Sequence, residues 1–197
     1  MLVNLLSETI EYSNDKQGID LLFNNLAILL AEDKYFLSHI LLNDNEIYSD
    51  FRMKIEDEIK QIESLQIILL TPVERKIETI NTLFDYLTSA LPSLHVLVER
   101  LYQGDEEKVS SSLSEFSEGA QWVISALHYL QESEASSSNN LFFRETLSKL
   151  QAQFIQMFSS LQEKDFIGLA DLITYEQIPL LQLLNDYVEG LQKVGKK

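Results

Sequence analysis

The sequence predicts an all-α fold, an antiparallel helical bundle of about three helical hairpins with long, partly Pro-kinked helices. Two apolar seams with alternating steps of four and three residues support this prediction. The first seam is Val73, Ile77, Ile80, Phe84, Leu87, Leu91, Leu94, Val98 and Leu101, and the second is Val109, Leu113, Phe116, Ala120, Val123, Leu127 and Leu130. No stretch shows the period-two alternation of a strand between turn residues. Short polar reversals at Glu32-Asp33 and Gly104-Asp105 favour the folded-back bundle over a long parallel coiled coil.

Composition limits the classes of function. The chain has 197 residues, a 45% hydrophobic fraction and a formal net charge of −16, so we expect a folded domain with an acidic surface. Acidic surfaces repel nucleic acid and anionic membranes, and they favour a basic partner. The absence of cysteine excludes disulfides and thiolate chemistry.

The amino-terminal third is predicted to be helical. Leu2, Leu5, Leu6 and Ile10 share one face of a short opening helix, which residues 13–18 end. Apolar residues at helical spacing follow from Ile19 to Leu30 and again from Tyr35 to Leu42. Shifting this stretch by 131 positions superimposes Phe23 on Phe154, so we predict a repeated helical hairpin.

The next boundary is a helix start. A helical stripe runs from Tyr48 to Leu69, and Thr71-Pro72-Val73-Glu74 then has the order of a capping box with proline at the first helical position. The new helix is expected to bend or divide near Ser89-Ala90, because Pro92 lies inside it. Gly104 is expected to end it in a left-handed conformation.

The carboxy-terminal third is predicted to form a helical hairpin. Its first arm carries Phe143, Leu147, Leu150, Phe154, Met157 and Leu161. Asp165 is placed to cap the second arm, and Pro179 should kink it. A Ser-rich linker at 132–140 precedes the hairpin. We therefore expect one helical domain over 1–197, or two packed halves, 1–131 and 141–197.

No catalytic or metal-binding motif is found. His39, His95 and His128 lie on separate predicted helices, and none has a Glu three residues before it. The common zinc, nucleotide and dinucleotide motifs have no match. We therefore expect no catalytic residue, no cofactor and no metal ion.

Candidate partner-binding residues are mainly aromatic. Trp122 and Tyr129 share a helix face beside the second seam, and Tyr175 and Glu176 lie with Asp171 near Pro179. The last hairpin carries more bulky groups than one stripe needs, notably Phe154, Phe158 and Phe166. For the aromatic groups, burial in the core is the alternative to a binding surface. For the polar group near Pro179, the alternative is a structural Asp171–Tyr175 pair at a bend of the helix.

Two segments resemble known families. Leu101 to Leu130, with Gly119 and Trp122 in a Gly-x-x-Trp pattern, resembles small acidic helical proteins of Gram-positive bacteria that are largely uncharacterised. Ser160 to Leu181 resembles the hairpin of small flagellar export chaperones, with Asp165-Phe166 in the place of an Asp-Trp pair. These resemblances imply a chaperone- or adaptor-like protein and transfer no catalytic residue.

The sequence leaves two functions open. The first is a non-enzymatic protein–protein interaction module that binds a partner protein, such as a basic or amphipathic helix, and such a module is compatible with a homo-oligomer. The second is an enzyme or small-molecule-binding bundle with a pocket between helices, using His95, His128 or Glu176. The longest apolar runs are too short to insert in a membrane, and the start lacks a signal-peptide pattern, so we expect a cytoplasmic protein.

Overall fold

The computed structural model describes residues 1–104, 106–134 and 139–195, without the side chains of 106–108 and 194–195. The chain divides into two compact units, Met1–Arg75 and Lys76–Lys197. The first unit is a mixed α/β unit and the second is helical. The prediction of an all-α fold is therefore wrong.

Unit 1 contains one five-stranded mixed sheet. Its strands are β1 (Leu2–Leu5), β2 (Glu8–Glu11), β3 (Phe36–Leu42), β4 (Asn45–Ile47) and β5 (Ser64–Leu70), in the spatial order β2-β1-β5-β3-β4. Strands β1 and β5 pair in parallel, with Val3 beside Leu65, and the other neighbours are antiparallel. Helix α1 (Lys16–Leu30) joins β2 to β3, and α2 (Phe51–Asp57) joins β4 to β5. This connectivity is a β-grasp sheet.

The predicted opening helix is instead the β1–β2 hairpin. Leu5 pairs with Glu8, so the loop has two residues, and Leu6 in this loop adopts a positive φ of 56°. The apolar spacing led to the wrong prediction of a helix, because Leu2 and Leu6, which were placed on its apolar face, are exposed, whereas Val3 is buried. A buried β-branched residue beside exposed neighbours is typical of a strand.

The predicted helices at Tyr35–Leu42 and Tyr48–Leu69 are also wrong. The first is strand β3, and the second divides into α2 and β5. Asn43 and Asp44, with φ of 48° and 66°, form the two-residue loop between paired Leu42 and Asn45. Asn and Asp tolerate this left-handed conformation, which matches the twist of a hairpin. The predicted helical repeat is therefore wrong as well.

Helix α1 confirms the helix that the apolar spacing from Ile19 to Leu30 predicts. Asp15 caps it by accepting a hydrogen bond of 2.8 Å from the Gly18 amide, and this bond holds the pKa of Asp15 below its ordinary value. Gly18 lies inside the helix rather than ending one. Buried Ile19, Leu22 and Leu26 belong to the core cluster of unit 1, together with Val3, Ile40, Leu42, Ile55, Leu65 and Ile67.

Unit 2 is built from the seam helices. They are α3 (Pro72–Gln103), whose first residues, Pro72 to Arg75, belong to unit 1, α4 (Glu106–Ser133), α5 (Asn139–Gln162), α6 (Phe166–Leu172) and α7 (Ile178–Gly195). The capping box is confirmed, since the Thr71 amide donates to Glu74 Oε2 at 2.8 Å and the Glu74 amide donates to Thr71 Oγ1 at 3.3 Å. The Thr71 amide and the Thr71 hydroxyl, which both donate to Glu74 Oε2, lower the pKa of Glu74. Seam residues Leu87, Leu94, Leu127 and Leu130 are buried in one core.

Helix ends in unit 2 follow the sequence closely. Gly104 has a φ of 70°, and its amide donates to the Leu101 carbonyl at 3.2 Å, as a left-handed helix end requires. Asp165 accepts from the Gly168 amide at 2.8 Å and so caps α6. Helix α3 continues through Pro92 without being divided. Just before Pro179, a π turn over Ile173–Gln177 interrupts the regular α-helix between α6 and α7.

The predicted linker 132–140 is covered only in part. Helix α4 extends to Ser133 and α5 begins at Asn139, whereas residues 135–138 lie outside the described part of the chain. The predicted organisation into halves 1–131 and 141–197 stays a prediction. None of the helices in the described ranges combines the length and apolar character of a membrane span.

Candidate functional site

An apolar groove lies between α4 and α5. It encloses about 480 Å³ and is lined by Leu113, Phe116, Ser117, Ala120, Gln121, Ile124, Gln151, Phe154, Ile155, Met157, Phe158 and Leu161. Most of these side chains are apolar, and no charged residue of the described chain lines the groove. The groove is therefore a surface that can bury apolar atoms of another molecule.

The groove exists because α5 carries two apolar stripes. One stripe, including Phe143, Leu147 and Leu150, is buried in the core of unit 2. The second stripe leaves Ile155 and Phe158 with 73% and 62% of their surface exposed. A helix needs only one apolar stripe to pack against the core, so the second is available for a further contact.

The groove lies in an acidic unit. Residues 76–197 contain 17 Asp and Glu against 9 Lys and Arg, which gives a formal charge of −8. The groove therefore combines an uncharged, mostly apolar lining with a net negative charge on the unit that contains it. This combination attracts cationic molecules that also have an apolar face.

Two phenylalanines form the inner wall of the groove. The rings of Phe116 and Phe154 are tilted, with centroids 5.8 Å apart. Both residues also line a small cavity of about 10 Å³ behind the groove, which the side chains of Tyr86, Leu150 and Gln177 help to enclose. The two rings thus separate the open groove from the interior of the bundle.

Gln177 contributes a buried amide to the lining of this inner cavity. It is only 1% exposed, and its Oε1 atom has no hydrogen-bond partner among the described residues. It ends the π turn and lies four residues after buried Ile173 and four before buried Leu181. Gln177 is not among the predicted site residues, although a glutamine at an apolar seam position two residues before Pro179 was the available signal.

The predicted binding residues lie in different environments. Phe154 and Phe158 meet in the groove. Tyr129 and Phe166 are half-buried against the core of unit 2, and Trp122, which is 37% exposed, packs on the Tyr86 ring at 5.5 Å. Tyr175 and Glu176 are exposed in the π turn and line none of the described pockets.

The polar residues near Pro179 form a local link rather than a pocket. The Tyr102 hydroxyl donates to Asp171 Oδ1 at 2.5 Å, and this hydrogen bond raises the pKa of Tyr102. Tyr102 belongs to α3 and Asp171 to α6, so the bond joins two helices of unit 2. Since Asp171 accepts it, the cluster has a structural explanation.

A second groove lies between α3 and α4 and encloses about 410 Å³. It has a more polar lining, in which Arg100 Nη1 donates to Ser112 Oγ at 2.5 Å. His95, His128 and Glu176 are exposed, and none of them lines this groove or another described pocket. The structure therefore does not bring together the polar groups proposed for a small-molecule site.

The described residues contain no group of three or more His, Asp and Glu that is placed to hold a metal ion. The expectation that the protein has no metal or other cofactor stays a prediction.

Gly119 allows Tyr86 to lie against α4. A Cβ atom at position 119 would overlap the Tyr86 hydroxyl, whereas the helical Gly190 has open space around it. Alanine in a helix is favoured over glycine by about 0.5–1 kcal/mol. We expect Gly190→Ala to raise the melting temperature and Gly119→Ala to lower it, because Tyr86 must move away from Trp122.

Thermal unfolding and Trp122 fluorescence measure these two effects. In a Tyr86→Ala background, Gly119→Ala should become stabilising, because the clash is absent. If Gly119→Ala stabilises the wild-type chain as much as Gly190→Ala does, then Tyr86 does not depend on the glycine.

Tyr86 also predicts a pH dependence. Burial raises the pKa of its phenol above the ordinary tyrosine value of about 10. At higher pH the unfolded chain therefore loses this proton before the folded chain does, and stability falls as pH rises. Tyr86→Phe should lose less stability than wild type above about pH 10, as measured by urea unfolding across this range. An equal loss in both proteins would contradict the prediction.

Comparison with protein families places most of unit 2 in a known family. A family model described as "Domain of unknown function (DUF8042)" matches residues 78–187, which is more than half of the chain and includes both helices of the groove. No curated protein and no solved structure matches the chain.

Proposed function

The chain belongs to the DUF8042 family of unknown function, and on that premise we propose that it is a non-enzymatic protein–protein interaction module. In this proposal, the groove between α4 and α5 binds an amphipathic helix of a partner protein. The observation that carries it is the second apolar stripe of α5, which leaves Ile155 and Phe158 exposed in the groove.

Burial of this stripe supplies the affinity. Covering an exposed isoleucine or phenylalanine side chain contributes about 1.5–3 kcal/mol. The groove extends along α4 from Leu113 to Ile124, a distance of roughly 16 Å at the rise of an α-helix. That length accommodates about three turns of a partner helix, whose apolar residues at positions i, i+3 or i+4, and i+7 would face the groove.

Charge defines the other face of the partner. The formal charge is −8 on residues 76–197 and −16 on the whole chain. The protein therefore attracts a helix with lysine or arginine along its polar face and repels nucleic acid. Association should slow as salt screens this attraction, whereas dissociation should change less.

A pair of matched variants tests the proposal. Ile155 in the groove and Ile28 on α1 are 73% and 72% exposed, so an aspartate at either position has a similar effect on solubility and charge. Wild-type protein and the Ile28→Asp variant should recover the same partners from the native cell extract, identified by mass spectrometry. The Ile155→Asp variant should fail to recover the partners that bind in the groove. Equal recovery by all three proteins would rule out the groove as the binding site.

The same proposal extends to biological setting. An acidic module that covers the apolar face of a partner helix would act as a chaperone or adaptor, and we propose a cytoplasmic location in a Gram-positive bacterium. Self-association through the same exposed stripe of α5 is compatible with it.

The groove between α3 and α4 favours a second candidate function, the binding of a small anionic molecule. Arg100 lies in it with only the Ser112 hydroxyl as a hydrogen-bond partner among the described residues, so several guanidinium donors remain for a carboxylate or phosphate. A thermal-shift screen of small carboxylates and phosphates on wild type and Arg100→Leu tests this candidate. This candidate function requires that a carboxylate or phosphate raises the melting temperature of wild type and does not raise that of Arg100→Leu.

A further inference from the structure

The buried amide of Gln177 is a feature of unit 2 that the proposed function does not use. Its position lies on the apolar seam of the last helical segment, and its Oε1 atom is unpaired among the described residues. An unpaired acceptor in a low-dielectric interior is unfavourable, so a group that donates a hydrogen bond to it is bound preferentially.

The path to Gln177 begins in the groove. Phe116 and Phe154 line both the groove and the cavity that contains Gln177. The cavity measures only about 10 Å³, the space of one water molecule. A larger group therefore reaches Gln177 only if one of the two rings moves.

Phe116 has space to move. The same side chain lines the groove on the other side of α4, between α3 and α4, which encloses about 410 Å³. Rotation of the Phe116 ring towards that side would join the α4–α5 groove to the inner cavity. Side-chain rotation of this kind is common when interfaces form.

We propose that the partner helix carries a tyrosine anchor that enters between Phe116 and Phe154 and donates its hydroxyl proton to Gln177 Oε1. This inference rests on the proposed function, because the anchor is part of the helix that occupies the groove. A flat ring suits a passage whose walls are two phenyl rings. The acceptor lies behind these walls, so the donor must be at the far end of the ring, which is where tyrosine carries its hydroxyl.

The proposal predicts discrimination between tyrosine and phenylalanine. The two side chains differ by one hydroxyl, and phenylalanine would leave Gln177 Oε1 buried and unpaired. We expect a helix with a tyrosine anchor to bind about tenfold more tightly than its phenylalanine counterpart.

Two designed peptides test this prediction. Each is an amphipathic helix of lysine, leucine and alanine of about 18 residues, long enough to exceed the groove, with one central tyrosine or phenylalanine. Their affinities for the full chain are measured by isothermal titration calorimetry. Wild type should prefer the tyrosine peptide about tenfold, and Gln177→Met, which has an apolar side chain of similar length, should bind both equally.

The matched groove variants separate the inference from the proposed function. Ile28→Asp should behave as wild type, and Ile155→Asp should bind both peptides weakly. If wild type binds both peptides equally and Ile155→Asp weakens both, the tyrosine anchor is wrong and the groove stands. If wild type binds neither peptide, or Ile155→Asp binds as tightly as wild type, the groove proposal fails. Should Gln177→Met not fold, as judged by circular dichroism, the tyrosine-to-phenylalanine ratio on wild type decides alone.

Discussion

Replacing Leu87 with aspartate should lower the free energy of unfolding of unit 2 by about 4–5 kcal/mol. Leu87 is fully buried at the centre of the α3 seam, in the core cluster formed by the helices of unit 2. The substitution removes the apolar contacts of the leucine and buries a carboxylate with no cationic partner. A folded domain has only about 5–15 kcal/mol of stability, so this loss is a large part of it.

Thr88→Asp is the control for this experiment. Thr88 is the next residue of α3 and is exposed, so the same charge on the same helix should change stability by no more than about 0.5 kcal/mol. Urea unfolding followed by circular dichroism measures both variants. A Leu87→Asp protein with an unchanged midpoint would show that the core face of α3 has been misplaced.

Replacing Leu65 with aspartate should unfold unit 1 and leave unit 2 folded. Leu65 is fully buried in β5, where it pairs with Val3 of β1 and with Leu42 of β3. A buried charge between the two neighbouring strands should cost about 4–5 kcal/mol. The core clusters of the two units share no residue, so the loss should stay within residues 1–75.

Amide chemical shifts distinguish the two units in this variant. In a ¹H–¹⁵N spectrum, the amides of Met1–Arg75 should collapse towards unfolded positions while those of Lys76–Lys197 keep their dispersion. Gln66→Asp is the control, because Gln66 is the next residue of β5 and is exposed. Loss of dispersion throughout the chain in Leu65→Asp would mean that unit 2 does not fold without unit 1.

The sequence determined most of unit 2, because its helices are specified by local information. The seams of α3 and α4 place an apolar residue on one face every three or four residues, and a helix is the conformation that brings them together. The Thr71–Glu74 capping box and the Asp165 cap use hydrogen bonds within four residues of each other. Such contacts do not depend on any distant part of the chain.

In unit 1, tertiary contacts decide which segments are strands. The runs Phe36–Leu42 and Ser64–Leu70 contain few polar residues, so their spacing fits a buried helix as well as a strand. What makes them strands is pairing with each other and, for β5, with β1 from the other end of the unit. Asn43-Asp44 was the local signal for a hairpin, and a helix boundary accounts for the same residues equally well.

The candidate site divides in the same way. The excess of aromatic residues on α5 was visible in the sequence, and it identified Phe154 and Phe158 of the groove. The neighbour that each stripe meets was not visible, because helical spacing defines a face without naming what packs on it. Only the packed bundle placed Phe116 beside Phe154, left Ile155 exposed and buried the Gln177 amide. These contacts join residues more than 20 positions apart, and their energies depend on the tertiary arrangement that brings the helices together.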